Sequence, residues 1–304
     1  MRSLPVSLRI SVRAALALLF TVLSPLLGHA QQGSTPLIYE VRSDINTIYL
    51  FGTIHIGTRG LYPLSAQVQE AFARSKILAL EADPTNQAAV MSAFTQGMYA
   101  PPETIASHIP PDLLEQFKAV LPQVGLPFEY ARAMKPYLLA MTLEVMEIQR
   151  LGYDPNLGMD SHFARLAHAQ GKSVVELESM EGQMQLFGSM PEDAQAAMLR
   201  VAVEGIASGE LGKEMASLIS AWASGDAAAI HESVLRETEG MPEAIAKDLN
   251  ERIYDQRNRE MADKIAVMLK GVEPYFVAIG AGHLIGPAGL VELLRSRGFA
   301  VRRL

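Results

Sequence analysis

Apolar residues recur along the chain at two spacings, and each spacing predicts a different element. Short β-branched runs at residues 38–41 and 47–51 flank the polar stretch 42–46, which predicts two strands joined by a turn. Helical spacing follows over residues 64–75, with Leu64, Val68, Ala71 and Phe72 on one face. Residues 76–80 then read as a buried strand, closed by Glu81, Asp83 and Pro84. Strand, helix, strand in that order is the βαβ signature of a parallel sheet.

The C-terminal end repeats this plan. Residues 275–279 predict a strand, 280–283 a turn, 289–297 a helix with Leu290, Leu293 and Leu294 on one face, and 299–302 a closing strand after Gly298. The two ends align, 51–57 against 279–286, as an internal duplication would align them; two short matches also arise by chance. Between Asn86 and Asp263 the pattern is mostly helical and rich in Ala, Leu, Met, Glu and Gln. One strand candidate, 173–178, interrupts it after a helix at 159–170 and its stop at Gly171. The expected fold is α/β, with a mixed or parallel central sheet and a large helical insert over about 86–263.

The first thirty residues read as an address. Arg2, Arg9 and Arg13 precede the apolar run 14–27, then Gly28, His29, Ala30 and the polar Gln31 and Gln32. That order predicts a secretory signal cut after Ala30, leaving 31–304 as the mature domain in the periplasm or outside the cell. The alternative is a retained N-terminal anchor, although the run is short of the roughly 20 residues a spanning helix needs. There is no cysteine, so disulfides, thiolate metal sites and a Cys nucleophile are excluded. The three arginines are the only charges before Gln31. Taking them from 26 basic residues leaves 23 against 33 acidic ones, a formal charge of −10. That argues against a nucleic-acid partner.

Two Gly-x-x-His sequences stand out, Gly52 to His55 and Gly280 to His283. A glycine at a strand's carboxyl end permits a sharp turn, and open α/β sheets bind ligands at that edge. An imidazole there serves as metal ligand, general base or electrostatic donor. If both strands share a sheet, the two histidines converge, which suits a first-row divalent metal completed by carboxylates. Glu81 breaks an apolar strand, and a carboxylate there is costly unless paired or ligated; Glu178 ends the 174–177 strand in the same way. Asp83 and Glu181 are explained by capping and solvation. Arg257 and Asn258 look, by themselves, like a solvated helix face. Asp160 reads as a helix-dipole partner. His108, His168 and His231 have no supporting context, and Trp222 reads as core or groove lining. No phosphate loop, His-Glu-x-x-His or Gly-x-Ser-x-Gly sequence occurs.

With these residues in view, the chain resembles the TraB/GumN family, related to the Tiki metalloproteases. The resemblance rests on residues 49–55, 80–83, 134–137, Gly158-Met159-Asp160, Gly171-Lys172, Leu177-Glu178, Arg257-Asn258-Arg259 and 280–284, and covers nearly all of the mature part. It implies a fold like that of the erythromycin esterase and ChaN group with a duplicated core. It also implies Mn²⁺- or Co²⁺-dependent peptide cleavage, with His55 and His283 as metal ligands and Glu81 as ligand or base. Glu178, Arg257 and Asn258 match family positions and would line the same cleft.

Two functions compete. In a metal-dependent hydrolase acting on a peptide or protein, Glu81 or Glu178 moves the proton and Arg257 steadies developing negative charge. In a periplasmic binding protein, the Met- and Ala-rich middle sequesters a peptide or small ligand without cutting it. A helical scaffold would leave the paired turns unexplained.

Overall fold

Strands that are apolar on both faces must be covered on both faces, and this dictates the centre of the fold. In the computed structural model, which describes residues 36–239 and 241–304, three such strands lie side by side. They are β2 (Thr47–Thr53), β3 (Ile77–Leu80) and β5 (Tyr275–Gly280), buried along almost their whole length. With β1 (Ile38–Arg42), β4 (Ser173–Glu176) and β6 (Ala300–Arg303) they form one sheet of order β4-β3-β5-β2-β1-β6. The pairs β4/β3, β3/β5 and β5/β2 are parallel, whereas β1 runs antiparallel to β2 and β6. The sheet is therefore mixed. Its edge strands are short and carry Glu176, Arg302 and Arg303, which discourages pairing with another chain.

The alignment of the two ends has a structural counterpart. Thr53 pairs with Gly280 where β2 and β5 run side by side, so both Gly-x-x-His segments leave the same sheet edge as neighbours. Beyond that point the units diverge. The helix Ala66–Arg74 leads to β3, two places to one side of β2; the helix Leu290–Ser296 leads to β6, three places to the other side of β5.

The middle of the chain is helical, as expected, apart from β4. Much of it builds its own apolar cluster, with Phe117, Tyr137, Leu139, Leu143, Leu199 and Val203 buried together. Residues 35–304 nevertheless form one compact unit. The element ends differ slightly from the sequence reading. The first helix starts at Ala66 because the Ser65 side chain accepts from the Val68 N–H. Strand β2 runs on through Gly52, and β4 stops at Glu176 rather than at Glu178. The expected leader, 1–30, lies outside the described residues. Among those residues, no helix is long and apolar enough to cross a membrane.

Candidate functional site

Glu81 organises the site. It follows β3 directly, and its buried carboxylate accepts from three groups. Oε1 accepts the Gly280 N–H at 2.6 Å, and Oε2 accepts Arg257 Nη2 at 2.7 Å and Gln183 Nε2 at 3.3 Å. Glu178 stands beside it because the chain after β4 keeps running parallel to the chain after β3. Leu177 N–H donates to Leu80 O and Glu178 N–H to Glu81 O, both at 2.7 Å. Arg257 binds both oxygens of Glu178, through Nε at 2.8 Å and Nη2 at 2.6 Å, and Gln183 Nε2 donates to Glu178 Oε2 at 2.8 Å. The run that reads as a solvated helix face thus points Arg257 inward, where it bridges two carboxylates. A π-helical turn, Glu251–Asp255, precedes it and supplies the Ile253 carbonyl to Arg257 Nη1.

The two histidines reach this cluster from adjacent strands, and each has one ring nitrogen fixed. His55 Nδ1 lies 2.9 Å from Asp160 Oδ2, and Asp160 Oδ1 accepts Thr53 Oγ1–H at 2.9 Å. His283 Nδ1 lies 2.7 Å from Asn258 Oδ1, while Asn258 Nδ2 donates to Ala288 O at 3.0 Å. That second bond sets the amide so that its oxygen faces the ring; Nδ1 of His283 therefore carries the proton, and Nε2 is bare. This bare Nε2 faces Glu81 Oε2 at 3.8 Å. Asn258 is 2 % exposed and meets the site through its bond to His283.

The glycines serve space rather than backbone freedom. The sequence reading assigns them sharp turns, but neither has a left-handed φ. A β-carbon on Gly280 would stand 3.1 Å from Glu81 Oε1 and 3.3 Å from His55 Nε2, so the bare glycine leaves a cradle between a carboxylate and an imidazole. One on Gly52 would stand 3.0 Å from Leu284 Cδ1 and 3.3 Å from Ala281 Cα, so Gly52 lets the second turn pack onto the first strand. Trp222 Nε1 donates to Gly52 O at 2.8 Å from the buried side.

Environment drives the two imidazoles apart. The Asp160 carboxylate raises His55 to about 9. Burial lowers His283 to about 4, with Glu81 opposing it only in part. Burial pushes Glu81 up, but His283, His55 and Arg257 outweigh it and hold the carboxyl below its ordinary value. Asp160 behaves alike: burial raises it, and His55 and Thr53 bring it down.

The site residues read from the sequence therefore come together, joined by four that local pattern does not reveal. Asp160 does lie in a helix's first turn, but it also holds His55. Thr53, Gln183 and Trp222 complete the surroundings. The segment around Gly158 offered a signal: a β-carbon on Gly158 would overlap the His55 carbonyl, and Met159 N–H donates to Ile54 O at 3.0 Å. Two further histidines lie elsewhere. His108 sits between Glu103 and Glu192, and His168 reaches Asp83 and Thr85.

The His55 side chain is 65 % exposed, and Nε2 of His283 confronts a carboxylate with no hydrogen between them. With His55 neutral, Glu81, Glu178 and Asp160 against Arg257 leave a charge of −2, which a divalent ion neutralises. Among the described residues, no group of three or more His, Asp or Glu stands in an arrangement that could hold a metal ion.

Fold and site together define an α/β protein with two histidines and two Arg-bridged carboxylates at one sheet edge. The chain belongs to the TraB/PrgY/gumN family, whose profile matches residues 37–303. A relative from Escherichia coli (strain K12), named "Uncharacterized protein YbaP", is 25 % identical over 248 residues, 81 % of this chain and 87 % of that one. Its Shigella flexneri counterpart gives the same figures. A protein of Amphimedon queenslandica named "Metalloprotease TIKI homolog" is 39 % identical over 70 residues, 22 % of this chain and 14 % of that one. No solved structure gives a significant match.

Proposed function

We propose that this protein is a metal-dependent hydrolase of peptide bonds, exported to the periplasm. One observation carries the reading: the bare Nε2 of His283 faces the Glu81 carboxylate at 3.8 Å, two acceptors with no donor between them. An imidazole whose other nitrogen is held by a carboxylate or amide oxygen is the usual state of a metal-binding histidine. Both histidines here are held that way. His55 and His283 would hold the ion through Nε2, and Glu81 through its carboxylate. The chemistry such an ion supplies is Lewis acidity toward a carbonyl and toward water. Manganese or cobalt fits the mixed nitrogen and oxygen donors. Peptide as substrate class rests on the metalloprotease named among the relatives, over its short match.

The protein's own groups divide the work. Asp160 and Asn258 hold the two rings in place. Glu178, whose side chain is 13 % exposed against 8 % for Glu81, accepts the proton of the attacking water. Arg257 helps to hold Glu81 below its ordinary value and presents positive charge to a developing oxyanion.

The test is cleavage of a mixed peptide library by Mn²⁺-loaded protein, read by mass spectrometry. New termini should appear with wild type and fall by at least about a hundredfold with Glu178→Gln, the scale of general-base loss. Peptides retained intact by metal-loaded wild type would favour sequestration and overturn the hydrolase reading.

A further inference from the structure

Helical spacing puts three groups of one segment on the same face. Tyr254, Arg257 and Asn258 stand at i, i+3 and i+4, and all three meet the site. Arg257 bridges Glu81 and Glu178, and Asn258 holds His283 Nδ1. Tyr254 lies against the same imidazole, with ring centroids 5.2 Å apart and planes at 45°. It belongs to the π-helical turn Glu251–Asp255, a rare irregularity that recurs at functional sites.

The phenol is also held from its far end. Its hydroxyl donates to Glu237 Oε2 at 2.5 Å. Glu237 is the C-cap of the helix Ala227–Arg236. An anion there opposes the helix dipole, so local stability does not account for it; the bond to Tyr254 does. Val234 on that helix and Tyr254 both close onto Gly282, where a β-carbon would stand 2.9 Å from Val234 Cγ2 and 3.2 Å from Tyr254 Cε1. The bare glycine thus lets the tyrosine settle against the turn that carries His283.

This arrangement makes the Tyr254 oxygen an acceptor. A phenol has one hydrogen to give and lone pairs that accept. The hydrogen is committed to a carboxylate, which polarises the oxygen and strengthens it as an acceptor. No described residue donates to that oxygen. Burial and the Glu237 carboxylate raise the phenol above its ordinary value, so it serves as a hydrogen-bonding group and not as an acid.

We propose that Tyr254 is a substrate-binding residue of this site, its oxygen accepting a backbone N–H of a bound peptide while Glu237 holds its hydrogen. The inference rests on the proposed function only in that the site takes a peptide; it needs no cleavage. A peptide backbone presents C=O and N–H groups in alternation. Arg257 offers donors to the first, and Tyr254, three residues away on the same face, offers an acceptor to the second. Glu237 is then a positioning residue that acts through the phenol.

Calorimetric titration tests this with Mn²⁺-loaded Glu178→Gln protein, in which a bound peptide stays uncut, and a peptide that wild type cuts or retains from the mixed library. Adding Tyr254→Phe should weaken binding about three- to tenfold, the loss of one hydrogen bond. Glu237→Ala should weaken it by less, and not at all once residue 254 is Phe. Copies of the peptide N-methylated at one residue at a time identify the partner. At one position methylation should weaken binding about three- to tenfold when Tyr254 is present and make no difference to Tyr254→Phe. A tyrosine that only packs on His283 would give no such position, because Phe keeps the ring. Equal binding by Tyr254→Phe, or N-methylation with the same effect on both proteins at every position, overturns the inference while leaving the proposed function standing. If wild type neither cuts nor retains any library peptide, the proposed function and this inference fall together.

Discussion

Asp160 Oδ2 lies 2.9 Å from Nδ1 of His55, across 105 residues of chain, and this contact decides what His55 can do. It fixes the ring, turns Nε2 toward the Gly280 cradle, and raises the imidazole to about 9.

The contact makes stability depend on pH. His55 has a raised pKa, so its contribution is complete below 6.5 and is lost as pH rises through about 9. Asp160 has a lowered pKa, so its contribution is complete above 3.8 and is lost only as pH falls through its depressed value. The melting-temperature gap between wild type and Asp160→Asn should therefore be widest between pH 3.8 and 6.5 and close above about 9. A gap that is constant to pH 10 would refute the assignment.

Metal binding at pH 7 should release close to one proton. His55 is protonated there and must give its proton up, whereas His283, lowered to about 4, is already neutral. Apparent affinity for Mn²⁺ should rise about tenfold per pH unit up to about 9. Calorimetry in buffers of different ionisation enthalpy counts the protons; a count of two would mean that His283 is not depressed.

The two glycines should fail differently. Gly280→Ala places a methyl between Glu81 Oε1 and His55 Nε2, so it should abolish Mn²⁺ binding with little change in melting temperature. Gly52→Ala presses on Leu284 and the Ala281 backbone, so it should cost about 1–3 kcal/mol of stability, the usual cost of overpacking. Denaturant unfolding and metal titration of both variants separate the effects.

How much of this the sequence discloses follows from where each interaction is made. Glu81 and Glu178 are legible because a carboxylate ending an apolar run is a local anomaly. His55 and His283 are legible because a spaced pair repeats. Asp160 and Gln183 are not: each sits in the first turn of an ordinary helix, where polar residues need no explanation. Their roles arise only when β4 aligns beside β3 and Gly158 closes onto the His55 carbonyl. The glycines mislead for the same reason, since the neighbour that requires each of them is far away in the chain.

Arg257 should be structural as well as functional. Its side chain is 12 % exposed and bridges two carboxylates. Arg257→Met leaves them facing each other, at a cost of about 3–5 kcal/mol, as for a broken buried pair. Equilibrium unfolding of wild type and variant at pH 7 measures this.

The central claim is that His55 and His283 share one divalent ion with Glu81. Its most direct measurement is metal content by elemental mass spectrometry after purification with Mn²⁺ or Co²⁺ and removal of free ion. Wild type should retain about one ion per chain, and the His55→Ala/His283→Ala double variant should retain essentially none while keeping its circular dichroism spectrum. Equal metal in the two proteins would contradict the shared site.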